Sequence, residues 1–270
     1  MLAFHHIIII ALIQGITEFL PVSSSGHLVL LPALSGFADQ GQVIDVAAHI
    51  GTLGAVCLYF RQDCWHIAGS MLFARKSSPD VSADRKLGWL LILASIPVMI
   101  AGLIIEILDP AMLRLAITVA AANIIFALWL FYADKSASAK PLSAITTGDA
   151  LKIGIAQILA LIPGTSRSGV TMTMGRYLGY DRVSVARFSL LLSIPVIVAA
   201  GAVKSISLIK SDNLSLTIDA VLVALLSFAT ALLAIRLMMG WLAKADFKIF
   251  VYYRLALGVV LIGLLAMGVI

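Results

Sequence analysis

The sequence is poor in charge and in cysteine, and each shortage excludes a class of protein. Only 12% of the 270 residues are charged, whereas 61% are hydrophobic, and the mean hydropathy is +1.06. A soluble domain does not need so much apolar surface, so the composition predicts an integral membrane protein. The two cysteines, Cys57 and Cys64, have neither a metal-binding nor a redox spacing, which favours ordinary packing roles.

Basic residues are missing from the start of the chain. The first 42 residues contain no Lys or Arg, whereas a cleavable signal peptide has a basic first region, so we expect none. The net charge of +5 fits Lys and Arg in cytoplasmic loops better than nucleic-acid binding. We therefore expect membrane lipids as partners and no nucleic acid, and a homo-oligomer is left open.

Six apolar segments have about the length needed to span a bilayer as helices, roughly 20 residues. They are residues 43–60, 87–106, 115–132, 183–203, 216–239 and 249–269. Four further apolar pieces are too short, at 3–20, 24–36, 149–162 and 170–179. These pieces flank two polar runs in pairs, which is typical of re-entrant hairpins that enter and leave the membrane on one side. Two ordinary spans joined by a polar loop are the alternative.

The charges in the loops predict the orientation. With re-entrant hairpins, three basic residues fall on one side of the membrane, and twelve fall on the other, in loops 61–86, 133–152, 176–182 and 240–248. The positive-inside rule assigns the twelve to the cytoplasm, so both termini are predicted to face the periplasm or exterior.

The predicted fold class is an all-α integral membrane protein with six transmembrane helices and two re-entrant helical hairpins in an inverted repeat. Residues 1–270 form a single transmembrane domain, whose halves are about 1–132 and 149–270, with a linker at 133–148. Such repeats commonly place their site near the middle of the membrane, between broken helices.

The two polar runs are similar to one another. The first is QGITEFLPVSSSGH, residues 14–27, and the second is QILALIPGTSRSG, residues 157–169. In each, an apolar half-helix with Gln is followed by Pro and by a Ser-rich turn that closes on Gly. Carboxylates, hydroxyls, His and Arg are costly at membrane depth, so their presence there indicates a function.

Glu18 is one of only two glutamates in the chain. It follows Gln14 by four residues, so the two side chains share one face of a helix, and Pro21 then ends that helix. A lone carboxylate in apolar surroundings takes up a proton unless a cation or donor is near. A metal ion or Arg167 meets that need, and a Glu bonded only to backbone is the alternative.

The serines of the first run open the next half-helix. Backbone N–H groups of Ser23, Ser24 and Ser25, with Gly26 allowing close approach, form an anion cradle. His27 then fits either a general base for a serine or a nucleophile that attacks phosphorus itself. Helix capping by one serine is the alternative, but capping does not require the His.

The second run has the same shape with an Arg inserted. Arg167 is planar, permanently charged and suited to bidentate phosphate binding. Ser166 and Ser168 flank it, and Thr171 adds a hydroxyl on the first turn of the following half-helix. We expect an anion site here, and an interfacial Arg that extends toward water is the alternative.

Together the two runs resemble the bacterial undecaprenyl-diphosphate phosphatase family, the integral-membrane type linked to bacitracin resistance. The resemblance covers the whole chain, including IGTLGAVCLYFR (50–61) and FSLLLSIP (188–195). It implies hydrolysis of undecaprenyl diphosphate, a lipid substrate, to undecaprenyl phosphate and inorganic phosphate in the bacterial plasma (inner) membrane. That reaction recycles the lipid carrier of peptidoglycan synthesis and removes the diphosphate that bacitracin binds.

The resemblance also implies roles for residues. Glu18, Ser24, His27 and Arg167 are the expected catalytic residues, and Glu18 is also a candidate ligand of a divalent cation, Mg²⁺ or Ca²⁺. The residues expected to bind substrate are Gln14, Ser23, Ser25, Gly26, Ser166, Ser168 and Thr171. Either Ser24 attacks the terminal phosphorus while His27 takes its proton, or the two exchange roles.

Two residues depart from the pattern of the family. Gln14 stands where many members have Glu, which removes one possible charge from a metal site. Arg187 precedes Phe188 where an acidic residue is expected. Asp45 and His49, four residues apart at the start of the first span, either support the site or belong to a solvated helix end.

A lipid-phosphate transporter or flippase built on the same inverted repeat is the alternative function, because fold does not fix function. A transporter needs an anion site but no nucleophile beside a base, so the pair Ser24 and His27 favours hydrolysis. An ion channel is disfavoured, because the spans show no continuous polar face.

Overall fold

The computed structural model describes most of the chain, and that part is helical. The described residues are 4–24, 26–27, 41–72, 79–108, 110, 115–137, 139–210 and 218–269. They contain ten α-helices and no strand: α1 Phe4–Thr17, α2 Gln42–Tyr59, α3 Arg61–Leu72, α4 Pro79–Leu108, α5 Ala116–Asp134, α6 Thr147–Gln157, α7 Arg167–Tyr177, α8 Arg182–Lys210, α9 Ile218–Leu242 and α10 Lys248–Ala266.

Six of these helices are long and apolar enough to cross a membrane. The apolar stretches are Gln42–Tyr59, Val81–Leu108, Ala116–Asp134, Arg182–Lys204, Ile218–Leu242 and Lys248–Ala266. Large apolar side chains on them point outward, such as Ile107 at 82% exposure and Val259 at 65%. Hydrocarbon accommodates such side chains at no cost, whereas water does not. The prediction of an all-α, six-span, multi-pass membrane protein is therefore confirmed.

The loop predicted at 61–86 differs from the structure. It contains α3 and the first turns of α4. Helix α3 carries Arg61, Asp63 and His66 among its apolar residues, so it lacks the apolar length by which the spans were recognised. A helix of this composition gives no hydropathy signal.

The short apolar pieces also form helices. Helix α1 corresponds to the piece at 3–20, and α6 and α7 correspond to those at 149–162 and 170–179. A short 3-10 helix, Ile158–Leu161, follows α6 directly, and Ser166 is the N-cap of α7. Most of the predicted piece at 24–36 lies outside the described residues.

Small residues let the short helices pack tightly against the long ones. Helix α1 packs against α9 and α2, α6 packs against α4, and α5 packs against α10. A Cβ on Gly154 of α6 would lie 2.4 Å from the Ala94 carbonyl oxygen of α4. Small residues at helix contacts allow such close backbone approach in membrane proteins. As a result, the loops that follow α1 and α6 meet inside the molecule.

Ion pairs join the helices at the end of the molecule that carries most of the basic loops. The buried carboxylate of Asp134 accepts hydrogen bonds from Arg176 at 3.0 Å and from Arg182 at 2.8 Å. It also accepts one from the backbone N–H of Phe247 at 3.0 Å. The cluster links α5, α7, α8 and α10. Nearby, Arg187 of α8 forms an ion pair with Asp63 of α3.

Candidate active site

The two polar runs are in direct contact in the folded molecule. Nη2 of Arg167 donates to Oε1 of Glu18 at 3.1 Å, and both side chains are nearly buried, at 13% and 11% exposure. The hydroxyl of Ser168 donates to the backbone carbonyl of Leu20 at 2.8 Å. A carboxylate and a guanidinium from distant parts of the chain thus form one polar site.

The Ser-rich turns of the two runs share an unusual backbone conformation. Among the described residues, only Ser23 and Ser166 have positive φ without being glycine, at 73° and 69°. The hydroxyl of Ser23 accepts from the N–H of Gly26 at 3.3 Å, and that of Ser166 accepts from Gly169 at 3.1 Å. This left-handed conformation costs about 1 kcal/mol for such residues and is concentrated at functional sites.

The shared turn defines which residues correspond between the runs. Each capping serine lies three residues before its glycine, so Ser24 occupies the position that Arg167 has in the second run. Arg167 begins α7, where backbone N–H groups and the helix dipole favour an anion, and Ser24 has a helical backbone in the first run. The hydroxyl of Ser24 and the guanidinium of Arg167 therefore occupy corresponding positions in the two turns.

Two donors hold the carboxylate of Glu18. The amide of Gln14 donates to Oε2 at 3.0 Å, while Arg167 holds Oε1. Nε2 of His49 lies 3.9 Å from Oε2, and Nδ1 of the same ring donates to the Asp45 carbonyl at 2.7 Å. Arg167 is therefore the cation beside Glu18, one of the two partners considered from the sequence. Of the pair Asp45 and His49, the imidazole of His49 approaches the carboxylate.

Ser189 of α8, which sequence reasoning did not single out, orients the guanidinium of Arg167. Its carbonyl accepts from Nη1 of Arg167 at 3.2 Å, and its hydroxyl lies 2.6 Å from that of Thr171. The Thr171 hydroxyl also bonds to the carbonyl of Arg167 at 2.9 Å. Thr171 therefore braces the first turn of α7, and its hydroxyl does not reach Glu18.

His27 is held by two hydrogen bonds. Its Nδ1 lies 2.7 Å from the carbonyl oxygen of Ser23, and its Nε2 is hydrogen-bonded to the Tyr253 hydroxyl. A carbonyl only accepts, so Nδ1 carries the proton and Nε2 is the acceptor in the neutral ring. Burial lowers the pKa of His27 from its ordinary value of 6.5, although the bond to Ser23 opposes that shift. Neither ring nitrogen is bonded to Ser24.

The remaining residues that were expected to bind substrate are Gly26, Ser168 and Ser25. Gly26 is buried against Asn123, whose amide nitrogen would lie 2.8 Å from a Cβ at that position. Ser168 is also buried, and its hydroxyl lies 3.1 Å from that of Ser166. Ser25 lies outside the described residues.

Helix α10 contributes two residues that the sequence motifs did not identify. Tyr253 contacts His27, and the adjacent Arg254 is fully buried. Nη2 of Arg254 donates to the carbonyls of Gly164 and Thr165 at 3.0 and 2.8 Å. The sequence contains a signal for Arg254, because a charged side chain inside an apolar span is as costly as the carboxylate of Glu18.

A metal ion at this site would need oxygen atoms from the substrate. The described residues contain no group of three or more His, Cys, Asp or Glu side chains able to hold a metal. Mg²⁺ and Ca²⁺ prefer oxygen ligands, and Mg²⁺ often binds through one or two carboxylates and substrate phosphates. Glu18 and the amide oxygen of Gln14 fit that arrangement, but not a cage made by protein alone.

A cavity of about 570 Å³ lies away from this site. It adjoins the ion cluster of Asp134, Arg176 and Arg182 and extends to Asp246 and Lys248. No residue of either polar run lines it. Its position at the ends of helices, and its mixed charges, make it a cleft between loops, so the chemistry is assigned to the contact between the runs instead.

The fold and the site define a multi-pass membrane protein in which a buried ion pair, Glu18 with Arg167, joins two polar runs. Residues 7–260 match the family described as Bacitracin resistance protein BacA. The chain is 49% identical over 261 residues to an Undecaprenyl-diphosphatase of Roseobacter denitrificans, which covers 95% of this chain and 97% of the relative. The chain belongs to this family.

Two further relatives of this chain have the same name. The chain is 45% identical over 257 residues to an Undecaprenyl-diphosphatase of Alteromonas mediterranea, covering 95% of this chain and 96% of that one. It is 46% identical over 261 residues to the protein of that name in Ruegeria pomeroyi, covering 96% and 97%. The resemblance recognised from the two polar runs is thereby confirmed over nearly the full length.

Proposed function

We propose that this chain is an undecaprenyl-diphosphate phosphatase, which hydrolyses undecaprenyl diphosphate to undecaprenyl phosphate and inorganic phosphate. The names of the relatives support this reaction, and the name of the family links it to bacitracin resistance. The reaction recycles a lipid carrier for cell-wall synthesis.

The observation that carries the proposed mechanism is the contact between Glu18 and Arg167. A diphosphate is strongly anionic, so its charge must be neutralised before a nucleophile can approach phosphorus. Arg167 offers a planar pair of donors to the terminal phosphate, and Ser189 and Glu18 fix its orientation. The neighbouring N-terminus of α7 adds to the positive potential.

We assign nucleophilic attack to Ser24 and proton transfer to His27. The Ser24 oxygen bonds to the terminal phosphorus, the bond from that phosphorus to the bridging oxygen breaks, and undecaprenyl phosphate leaves. His27 takes the serine proton, and water then hydrolyses the phosphoserine. Because Nε2 of His27 is bonded to Tyr253, this step requires His27 to exchange Tyr253 for Ser24. The alternative is attack by Nε2 itself, whose lone pair becomes available once the same bond to Tyr253 breaks.

The two nucleophiles leave different covalent intermediates. Phosphate trapped by acid quench from labelled substrate should remain bound in the wild type as an acid-stable phosphoserine, and Ser24→Ala should abolish it. In a parallel alkaline quench, a phosphoramidate that survives alkali but not acid, and that persists in Ser24→Ala, would assign the attack to His27.

We propose that a divalent cation, Mg²⁺ or Ca²⁺, is held by Glu18 and by oxygens of the diphosphate, with the amide oxygen of Gln14 as a further ligand. When bound, the cation neutralises phosphate charge. Chelation should abolish phosphate release, and added Mg²⁺ or Ca²⁺ should restore it. Glu18→Gln should raise the cation concentration that gives half-maximal rate, and full activity after chelation would contradict a cation requirement.

We further propose that the two polar runs are the tips of re-entrant hairpins in an inverted repeat, set in the bacterial inner membrane with both termini outside. The shared positive φ of Ser23 and Ser166 supports a repeat. So does the packing, since α1 contacts the long helix α9 while α6 contacts α4. Short helices that end inside the molecule, with polar turns buried between long helices, are typical of such folds.

The decisive experiment is phosphate release from a prenyl diphosphate by purified Arg167→Ala. Loss of one Arg contact to the phosphate in the transition state should cost at least about 3 kcal/mol, or roughly a hundredfold in rate. Arg236→Ala removes the same charge from an exposed position of α9 and should retain activity. Near-normal turnover by Arg167→Ala would overturn the assignment.

A further inference from the structure

Arg254 has an unneutralised charge inside the molecule. Its side chain is fully buried, and only Nη2 is engaged, by the carbonyls of Gly164 and Thr165. Nε and Nη1 have no hydrogen-bond partner among the described residues, and neither does the hydroxyl of Thr165. A guanidinium keeps its charge in proteins, and a buried charge without a partner is costly. Function is the usual reason for such a group in a membrane protein.

The free side of this guanidinium faces the start of α7. Nη1 would lie 2.8 Å from a Cβ on Gly169, in the first turn of that helix. Gly169 follows Arg167 by two residues, which is about 200° around an α-helix. The guanidinium of Arg254 therefore lies on the side of α7 opposite to Arg167, and the helix N-terminus lies between the two.

The two arginines differ in whether a carboxylate neutralises their charge. The charge of Arg167 is matched by Glu18 at 3.1 Å, whereas no carboxylate of the described residues forms an ion pair with Arg254. The surplus positive charge of the site therefore belongs to Arg254. A diphosphate has two anionic groups, and the proposed function gives Arg167 only one of them.

We propose that Arg254 binds the second phosphate of the diphosphate head group, across the N-terminus of α7 from Arg167. This inference rests on the proposed function for the identity of the ligand. Arg254 approaches that phosphate with Nε and Nη1, while Nη2 continues to hold the loop at Gly164 and Thr165. The two arginines then form a clamp with one guanidinium for each phosphate, and Gly169 is required because a side chain there would displace Nη1.

The test is a double-mutant cycle on binding of a substrate analogue. The probe is a prenyl bisphosphonate in which a CH₂ group replaces the bridging oxygen, so that it binds without being hydrolysed. Its dissociation constant is measured for the full-length wild type, Arg254→Met, Arg167→Met, the double variant and the exposed control Arg236→Met. Loss of a charged hydrogen bond should weaken binding about tenfold to a hundredfold for each single substitution, and Arg236→Met should match the wild type.

The double variant separates direct contact from loop support. If each arginine binds its own phosphate, the two losses multiply. If Arg254 acts only by holding the loop that carries Arg167, the double variant binds no more weakly than Arg167→Met, and the proposal is overturned. A loss of less than about threefold in Arg254→Met overturns it as well.

A variant that fails to fold does not end the test. Arg254→Lys keeps the charge but lacks the fork of donors, so it should bind the probe at least about fivefold more weakly, and wild-type affinity would overturn the proposal. Failure of the proposed function gives a different result from failure of this inference. A wild type that binds the probe but releases no phosphate from undecaprenyl diphosphate contradicts the reaction, whereas normal hydrolysis with unchanged affinity in Arg254→Met contradicts only this inference.

Discussion

The two hydrogen bonds of His27, to Ser23 and to Tyr253, determine the roles of its ring nitrogens. With Nδ1 donating to the Ser23 carbonyl, the Tyr253 hydroxyl must donate to the Nε2 lone pair of the neutral ring. That bond stabilises the neutral form, as does burial, which lowers the pKa of His27 below 6.5. A base with a lowered pKa stays unprotonated at neutral pH, so it remains competent where an exposed His begins to protonate.

Tyr253→Phe should therefore change the pH dependence of the enzyme. In the wild type, we expect kcat/KM to fall on the acid side only below pH 6.5, as His27 becomes protonated. Removing the hydroxyl removes a bond that favours the neutral ring, so the acid limb should move to higher pH and the rate should fall more at pH 5.5 than at pH 8. The measurement is phosphate release from pH 4.5 to 9.

The neighbouring Tyr252 provides the matched control, because its side chain is 60% exposed on the same helix. Tyr252→Phe should keep the wild-type profile. If Tyr253→Phe lowers the rate equally at every pH, Tyr253 is a packing residue, and its proposed role in the protonation of His27 is wrong.

At the scale of residues, the sequence predicts the polar residues that belong to short polar runs and misses those that stand singly in apolar helices. Gln14, Glu18 and His27 belong to one short run whose composition stands out. Tyr253 and Arg254 lie in a long apolar helix, and only the folded packing of α10 against α5 brings them to the same place. Hydropathy records such a helix as a span and gives no information about which polar side chain faces inward.

At the scale of elements, the start of α7 depends on the serine at its N-cap. Ser166 contributes a capping hydroxyl to Gly169, yet its φ of 69° is unfavourable for any residue with a Cβ. The hydrogen bond of the cap therefore stabilises the turn, whereas the positive φ destabilises it. The same combination at Ser23 suggests that a fixed turn is maintained for function despite its cost.

Substitutions of Ser166 separate the two contributions. Ser166→Ala loses the cap and keeps the strain, so it should lower the free energy of unfolding by about 1 kcal/mol. Ser166→Gly loses the cap but tolerates positive φ, so the loss should be only a few tenths of a kcal/mol. Denaturation in detergent micelles measures both. Equal stability of the two variants would show that the turn relaxes once the hydroxyl is gone.

Elements differ in how well their sequence predicts them. The six spans follow from apolar length alone, because a bilayer imposes about 20 residues on each. Helix α3 was missed because its charges hide it from hydropathy, and its role becomes clear only from the pair of Asp63 with Arg187. That pair also accounts for the basic residue at 187, whose partner in α3 is acidic.

At the scale of the whole molecule, the basic loops predict which side of the membrane each loop and terminus faces. This prediction depends on whether the second polar run crosses the membrane. Three spans separate residue 139 from residue 267 if residues 149–179 re-enter the membrane without crossing it. The two positions must then lie on opposite sides. If 149–179 crossed the membrane once, four crossings would separate them and both would lie on the same side.

Single-cysteine labelling distinguishes these topologies. In a background with Cys57→Ser and Cys64→Ser, the exposed positions Ala139 and Met267 are replaced one at a time by cysteine. A membrane-impermeant maleimide applied to cells with a permeable outer membrane should label Met267→Cys directly, and Ala139→Cys only after lysis. That result would place the C-terminus outside and the linker inside, as the excess of basic loops requires. Equal labelling of both positions in intact cells would mean that the second polar run belongs to a crossing helix, so the proposed pair of opposed re-entrant hairpins would have to be abandoned.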